Sequence, residues 1–485
     1  MHVTTVEIKQ NAVQNYKVIP IMISLLLSGF IGMFSETALN VALSDLMSLF
    51  HISASTAQWL TTGYLLTLSV LVPVSGLLLQ WFTTRQLFIA ALSFSILGTL
   101  VSALAPGFEV LLIGRIIQAA SMALLLPLIF NTILHIFPAE KRGTIIGILG
   151  LVLVVAPAVG PSVSGFLIDT LGWQWIFWLS IPFLAIALLF GSLNLQNVST
   201  ITKPKIDILS LIVSTFGFGG IVFAFSKVGE GDGGWGSTEV IISMSIGILA
   251  LIIFIIRQLT MSQPMLNLRA FKHPMFTIGT LMLVVCMIIL LTTIIALPMY
   301  LIQGLGFSTL KAGLVLLPGG ILQAVMSPVM GKLFDKFGPK LIVPMGLVLT
   351  STSLWFFTGL NTSSSVALIV LFHSLIMISN CMVWTSQANG LNQLPPELYP
   401  DGSAIMNTFQ QLAGAVGTAV AVSIMTAGVN RFMNDVSDKT DPVNGPLSII
   451  AGIQHSFVFP LIVAILGLIF ALFIKRVHVT KGLEK

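Results

Sequence analysis

Apolar residues in this chain come in long unbroken runs, with neither the alternation of half-buried strands nor the one-sided stripe of a surface helix. Residues 18–41, 89–105, 241–256 and 457–474 are examples, and each approaches or exceeds the roughly 20 residues that carry a helix across ~30 Å of hydrocarbon. Backbone polar groups in lipid must be satisfied within the segment, so runs of this length are helices. Reading the whole chain this way predicts fourteen spans, at 18–39, 58–79, 87–105, 109–133, 143–167, 174–193, 207–227, 239–258, 276–301, 309–331, 340–359, 365–388, 402–428 and 454–474. An all-α integral membrane protein is the expected class.

Composition removes the alternative. Of 485 residues, 56% are hydrophobic and 8% charged, against roughly 25% charged in a soluble domain; so few charges cannot cover a water-exposed surface. The basic pI near 9.2 does not point to nucleic acid, because Lys and Arg fall in short loops between spans rather than on one continuous face. Seventeen of the 22 basic residues lie in loops on the side of the N-terminus, among them Arg85, Lys141, Arg142, Lys332, Lys336, Lys340, Lys475 and Arg476. The opposite loops carry Lys227, Lys311, Arg431 and Lys439, and Arg115 lies within a span. An even span count puts both termini on one side, and the positive-inside rule makes that side cytoplasmic. Cys286 and Cys381 sit singly inside apolar runs, without ligand spacing, and read as core residues rather than a disulfide or metal site. The first run is too long for a cleavable signal.

The chain also repeats itself. Residues 73–85, PVSGLLLQWFTTR, and 328–340, PVMGKLFDKFGPK, superpose at an offset of 255, matching Gly76 with Gly331 and Arg85 with Lys340. Each copy closes the second helix of a six-helix half. The expected organisation is an N-terminal six-helix bundle at 1–195, two inserted helices at 196–262 joined by the turn-rich GEGDGGWG, and a C-terminal six-helix bundle at 263–485.

Four motifs carry chemistry. SETALNVAL, 35–43, places Glu36 inside the first span with Asn40 one turn on. A charged carboxylate at a helix centre costs about 2.5–3.5 kcal/mol on insertion scales, and low dielectric favours its neutral form. Such a group takes up a proton and gives it back when water or a cation reaches it; the plain alternative is a solvated acid at an interface. LLIGRIIQAASMALLLP, 111–127, places Arg115 in the fourth span with Gln118 on the same face; it also reads as an arginine snorkelling to an interface. APAVGPSVSGFL, 156–167, carries Gly160, Pro161 and Gly165, residues that let helices approach closely and bend. In the repeated loop, Gly331, Asp335, Gly338 and Lys340 follow G-x-x-x-D-x-x-G-x-[KR], whereas the first copy has Gln80 and Thr83 at the acidic and second glycine positions.

Together these residues resemble the major facilitator superfamily, in particular its fourteen-span drug:H+ antiporters of the EmrB/QacA type, and within them the lincomycin-resistance and related multidrug exporters. The resemblance spans 25–474. It implies the major facilitator fold and proton-coupled efflux of lipophilic or cationic antibiotics and biocides by alternating access, with no catalytic residue, no metal and no cofactor. It implies proton coupling by Glu36 and Arg115, with Gly76, Arg85, Gly160, Pro161, Gly165, Gly331, Asp335, Gly338 and Lys340 as conformational residues. Substrate contacts are expected from Glu36, Asn40, Gln118, Trp384, Gln387 and Gln410, where the bundles meet. It further implies a monomer in a bacterial plasma membrane. Export of an endogenous metabolite, lipid precursor or siderophore by the same mechanism fits the sequence too. Uptake by symport is disfavoured by the Gly160–Pro161–Gly165 signature, and no nucleotide loop supports an ATP-driven pump.

Overall fold

The structure, a computed structural model, describes residues 18–52, 54–198, 201–203, 207–229, 234–262, 264–436 and 441–477. Its helices are α1 (Val18–Phe50), α2 (Ala54–Trp81), α3 (Thr84–Ala103), α4 (Phe108–Ile136), α5 (Ala139–Leu171), α6 (Trp175–Asn194), α7 (Ile208–Gly229), α8 (Thr238–Thr260), α9 (Pro274–Met299), α10 (Thr309–Phe337), α11 (Pro339–Thr358), α12 (Val366–Trp384), α13 (Ser386–Asn392), α14 (Tyr399–Asp435) and α15 (Asn444–Ala471). Among the described residues, 13 segments are long and apolar enough to cross a membrane, with α12 and α13 joined as one. The 33-residue α5 runs beside them as a fourteenth long helix.

The same pairing scheme appears twice. In the first half α1 packs on α5 and α6, α2 on α4, and α3 on α4 and α6. In the second, α9 packs on α14 and α15, α10 on α12, and α11 on α12 and α15. The halves meet along two seams, α5 against α10 and α2 against α14, so the second helix of each half lies against the fifth of the other. The inserted α7 and α8 pack on one another, and α7 leans on both α2 and α14. The outermost helix, α8, leaves Ile241, Ile246, Leu249, Ile252 and Ile256 exposed. On a soluble protein such an apolar face would be a liability; facing acyl chains, it requires no partner.

The departures of the first repeat from the second have a local cause. Gly338 ends α10 and starts α11 at φ 78° and ψ 177°, a region that is essentially glycine-only. Its equivalent Thr83 has φ −69° and ψ 151° and opens α3 with a capping box: its side chain accepts from the Gln86 N–H while the Gln86 side chain accepts from the Thr83 N–H. That turn has no use for glycine.

Close packing marks both seams near the end of the molecule that carries most basic residues. A Cβ on Gly331 would stand 2.5 Å from the Gly143 carbonyl oxygen of α5, and one on Gly76 would stand 3.1 Å from the Ala404 Cβ of α14. The motif glycines thus sit at equivalent places on the two seams.

Where the inserted pair joins the basic end, Arg257 of α8 makes a two-pronged pair with Asp207, Nε to Oδ2 at 2.7 Å and Nη2 to Oδ1 at 2.9 Å. Ser210 also donates to this carboxylate. The guanidinium bond holds the Asp207 carboxyl down to about 2 from its ordinary 3.8.

Two outcomes are expected. Gly338→Ala lowers stability by about 1–3 kcal/mol through backbone strain, read as a lower thermal midpoint in detergent, whereas Thr83→Gly loses only a few tenths of a kcal/mol. Because the folded-state affinity of Asp207 for protons is depressed, its pairing stabilises fully above about pH 4 and is lost as pH falls through about 2. The thermal-midpoint gap between wild type and Asp207→Asn therefore closes over that window.

Candidate functional site

Arg115 faces the interior of the first half and is 1% exposed. Its Nη1 donates to the Ser35 carbonyl oxygen at 2.9 Å and to Gln118 Oε1 at 3.1 Å. The Gln118 amide in turn donates to Thr99 Oγ1 at 2.9 Å, and Thr99 donates to the Ser95 carbonyl. This chain of donors runs from α4 into α3. The Tyr64 ring on α2 lies under the guanidinium, 4.3 Å from Cζ to ring centroid. Arginine holds its charge in any protein environment, so burial here is compensated by oriented carbonyl, amide and ring groups.

Glu36, the residue after Ser35, is half-buried on α1. Its carboxylate lies within electrostatic reach of the Arg115 guanidinium, yet among the described residues no ion pair joins the two. The arrangement can hold a proton on Glu36 or set an ionised Glu36 against the charge of Arg115. A carboxylate facing a fixed cation in low dielectric can exchange protons without leaving an uncompensated charge.

Several expected contacts are placed elsewhere. The buried Gln118 side chain accepts from Arg115 and donates one N–H to Thr99. Gly160 does not lie on a seam between halves: a Cβ there would meet Thr37 Oγ1 of α1 at 2.5 Å, a contact inside the first half, and nothing lies within 4 Å of one on Gly165. The side chains of Asn40 and Pro161 lie outside the described residues. Glu36 is 18 residues into α1, about 27 Å of helical rise from the basic end. Trp384 and Gln387 lie only about 8–12 Å from that end. The expected set therefore divides into two layers. Trp384 approaches Gly150 of α5 where it meets Ser327 of α10, and Gln410 is buried on α14. Trp384 Nε1, Gln387 Nε2, Ser386 Oγ, Asn407 Oδ1 and both polar atoms of the Asn131 side chain are buried without hydrogen-bond partners. Unpaired polar groups at this depth are costly unless something else satisfies them.

Bonds between the halves bridge the basic end. Asp335 of α10 accepts from the backbone N–H of Gly143 at 3.0 Å and of Thr144 at 2.7 Å, and from Thr144 Oγ1, all on α5. Arg142 donates to the Phe137 carbonyl at the end of α4 and reaches across to Asn392 Oδ1 at 2.8 Å and Tyr399 Oη at 3.2 Å. At the other seam Gln80 takes no such role: its carbonyl accepts from Thr202 and Lys203 in the linker to α7. Arg85 and Lys340, the basic residues of the two copies, are exposed. Asp401 at the start of α14, 3% exposed, accepts from the Asn267 N–H at 2.9 Å.

The residue-level reading missed Tyr64, Arg142 and Asp401, three buried side chains on α2, α5 and α14. Arg142 and Asp401 each fall one position before a predicted span, and only their burial distinguishes them from loop charges.

The family description Major Facilitator Superfamily matches residues 25–418. The chain belongs to the Major Facilitator Superfamily. It is 60% identical over 474 residues to the lincomycin resistance protein LmrB of Bacillus subtilis, covering 98% of this chain and 99% of that one. It is 55% identical over 464 residues to LmrB of Listeria monocytogenes, covering 96% and 98%. Among solved structures, the human organic anion transporter MFSD10 superposes with a TM-score of 0.62 at 13% identity, over 93% of this chain and 99% of that one; at that identity the likeness is one of fold. The chain is therefore a multi-pass membrane transporter and not an enzyme.

Replacing the carboxylate that bridges α10 and α5 tests the closure. Asp335→Asn is expected to weaken it by about 1.5–3 kcal/mol, the range for hydrogen bonds to a charged group. Maleimide labelling of Ser327→Cys, buried at this seam, should then quicken by tenfold or more.

Proposed function

We propose that this transporter exports lipophilic or cationic antibiotics, lincomycin among them, in exchange for protons, as a monomer with both termini in the cytoplasm of a bacterial cell. The observation that carries the reading is Glu36: a half-buried acid within reach of a buried, permanently charged Arg115, with no ion pair holding it among the described residues. The names of its relatives, lincomycin resistance proteins, support the substrate class. The excess of Lys and Arg at one end supports the orientation.

With the basic end taken as cytoplasmic, the structure corresponds to a carrier closed on the inside. Protons from outside load Glu36, which removes its charge and lets it part from Arg115. The halves then rock, breaking the Asp335 and Arg142 contacts and opening the inner side. An amphipathic drug entering there finds the unpaired polar groups of Trp384, Gln387, Asn407 and Asn131 set among apolar helices. Drug entry and hydration release the proton inward, and the loaded carrier returns. Each charge moved down 100 mV supplies about 2.3 kcal/mol, enough to sustain roughly a fiftyfold drug gradient at one proton per neutral drug. No cofactor enters this cycle.

The test is drug-triggered proton release from purified protein in detergent, read with a pH indicator, alongside lincomycin susceptibility of cells with and without the protein. Wild type should release protons on lincomycin addition and raise resistance, and Glu36→Gln should do neither. Normal proton release from the Gln variant would remove Glu36 from the mechanism, and unchanged susceptibility on loss of the protein would remove lincomycin.

A further inference from the structure

Arg115 has more donors than acceptors. Nη1 serves Ser35 and Gln118, while Nε is buried with no partner at all. What covers the flat face of the guanidinium is Tyr64, itself 1% exposed. The ring has little freedom to leave: its neighbour Gly63 brings α2 so near α4 that a Cβ there would stand 3.1 Å from Leu112 Cδ1. A cation over an aromatic face is attracted to the ring quadrupole, most strongly where water is excluded.

Resting on the antiport reading, we propose that Tyr64 is a positioning residue for proton coupling. Its ring face holds the Arg115 guanidinium in place beside Glu36, with Nε left free, so that the position of that charge sets how tightly Glu36 keeps its proton. The ring also gives Arg115 a resting contact while Glu36 is neutral, so the cation neither follows the acid nor seeks another partner.

Few other groups compete for this task. Besides Arg115, α4 carries Glu109 at one end and His135 at the other, and α5 carries charges only near its ends, Glu140, Lys141, Arg142 and Asp169. Tyr64 is the one titratable residue of α2, α6 has none, and α1 itself adds only Asp45, nine residues on from Glu36.

The experiment is the pH dependence of lincomycin-triggered proton release from the full-length protein in detergent, for wild type, Tyr64→Phe and Tyr64→Leu. Phe keeps the ring face and should keep the wild-type midpoint. Leu removes it, the guanidinium drifts from Glu36, and the midpoint should rise by about one pH unit, the effect of moving a unit charge a few ångströms at an effective protein dielectric. Tyr64→Met, which fills similar space without a ring, gives a second reading of the same shift. A purely structural role would lower yield or thermal stability in these variants without moving the midpoint. A wild-type midpoint in the Leu and Met variants overturns the assignment to Tyr64 and leaves the antiport reading intact. Absence of release from wild type overturns both.

Discussion

Hydrocarbon offers a charge no solvent, so every ionised group inside this molecule must be supplied with partners by the protein itself. Arg115 is the severest case because it cannot discard its proton to relieve the problem. Satisfying it draws on α1 through the Ser35 carbonyl, α2 through Tyr64, and α3 through the Gln118–Thr99 relay. Four helices of the first half are thereby committed to one guanidinium. That commitment leaves Glu36, the acid next in sequence to one of those partners, as the group whose charge can vary.

The same demand shapes the basic end differently. There the charges are satisfied across the boundary between halves: Asp335 by backbone N–H groups of α5, Arg142 by Asn392 and Tyr399. Bonds inside a half persist while the halves move, whereas bonds between halves must be made and broken. Glu36, about 27 Å of rise from the basic end, and the contacts of Asp335 and Arg142, within a few residues of it, therefore sit in separate layers and share no side chain.

Much of this was legible in the sequence, because span length, basic loops and the 255-residue repeat each reflect a coarse constraint of the bilayer. The helices outrun the hydrocarbon in ways hydropathy does not register: α1 continues through Asn40 and Asp45 to Phe50, since a helix needs no lipid once its backbone bonds are made. Arg142 and Asp401 defeated the reading for the opposite reason. A charge normally marks where a span stops, and these two are buried by partners from distant parts of the chain. One-turn spacing puts Gln118 on the same helix face as Arg115, but nothing local reveals that Thr99 waits on α3. Gly160 illustrates a further limit: a small residue announces close approach without naming the helix that approaches.

The inserted pair stands with one foot on each side of a seam. Through Thr202 and Lys203 it is tied to Gln80 of α2, and through Asn267 to Asp401 of α14. A motion that separated α2 and α14 would change the distance between those anchorages and load the strap formed by α7 and α8. Its outer surface is almost wholly apolar. Any load carried there would meet the acyl chains beside α8, a lopsidedness that the twofold plan of the two bundles would not by itself produce.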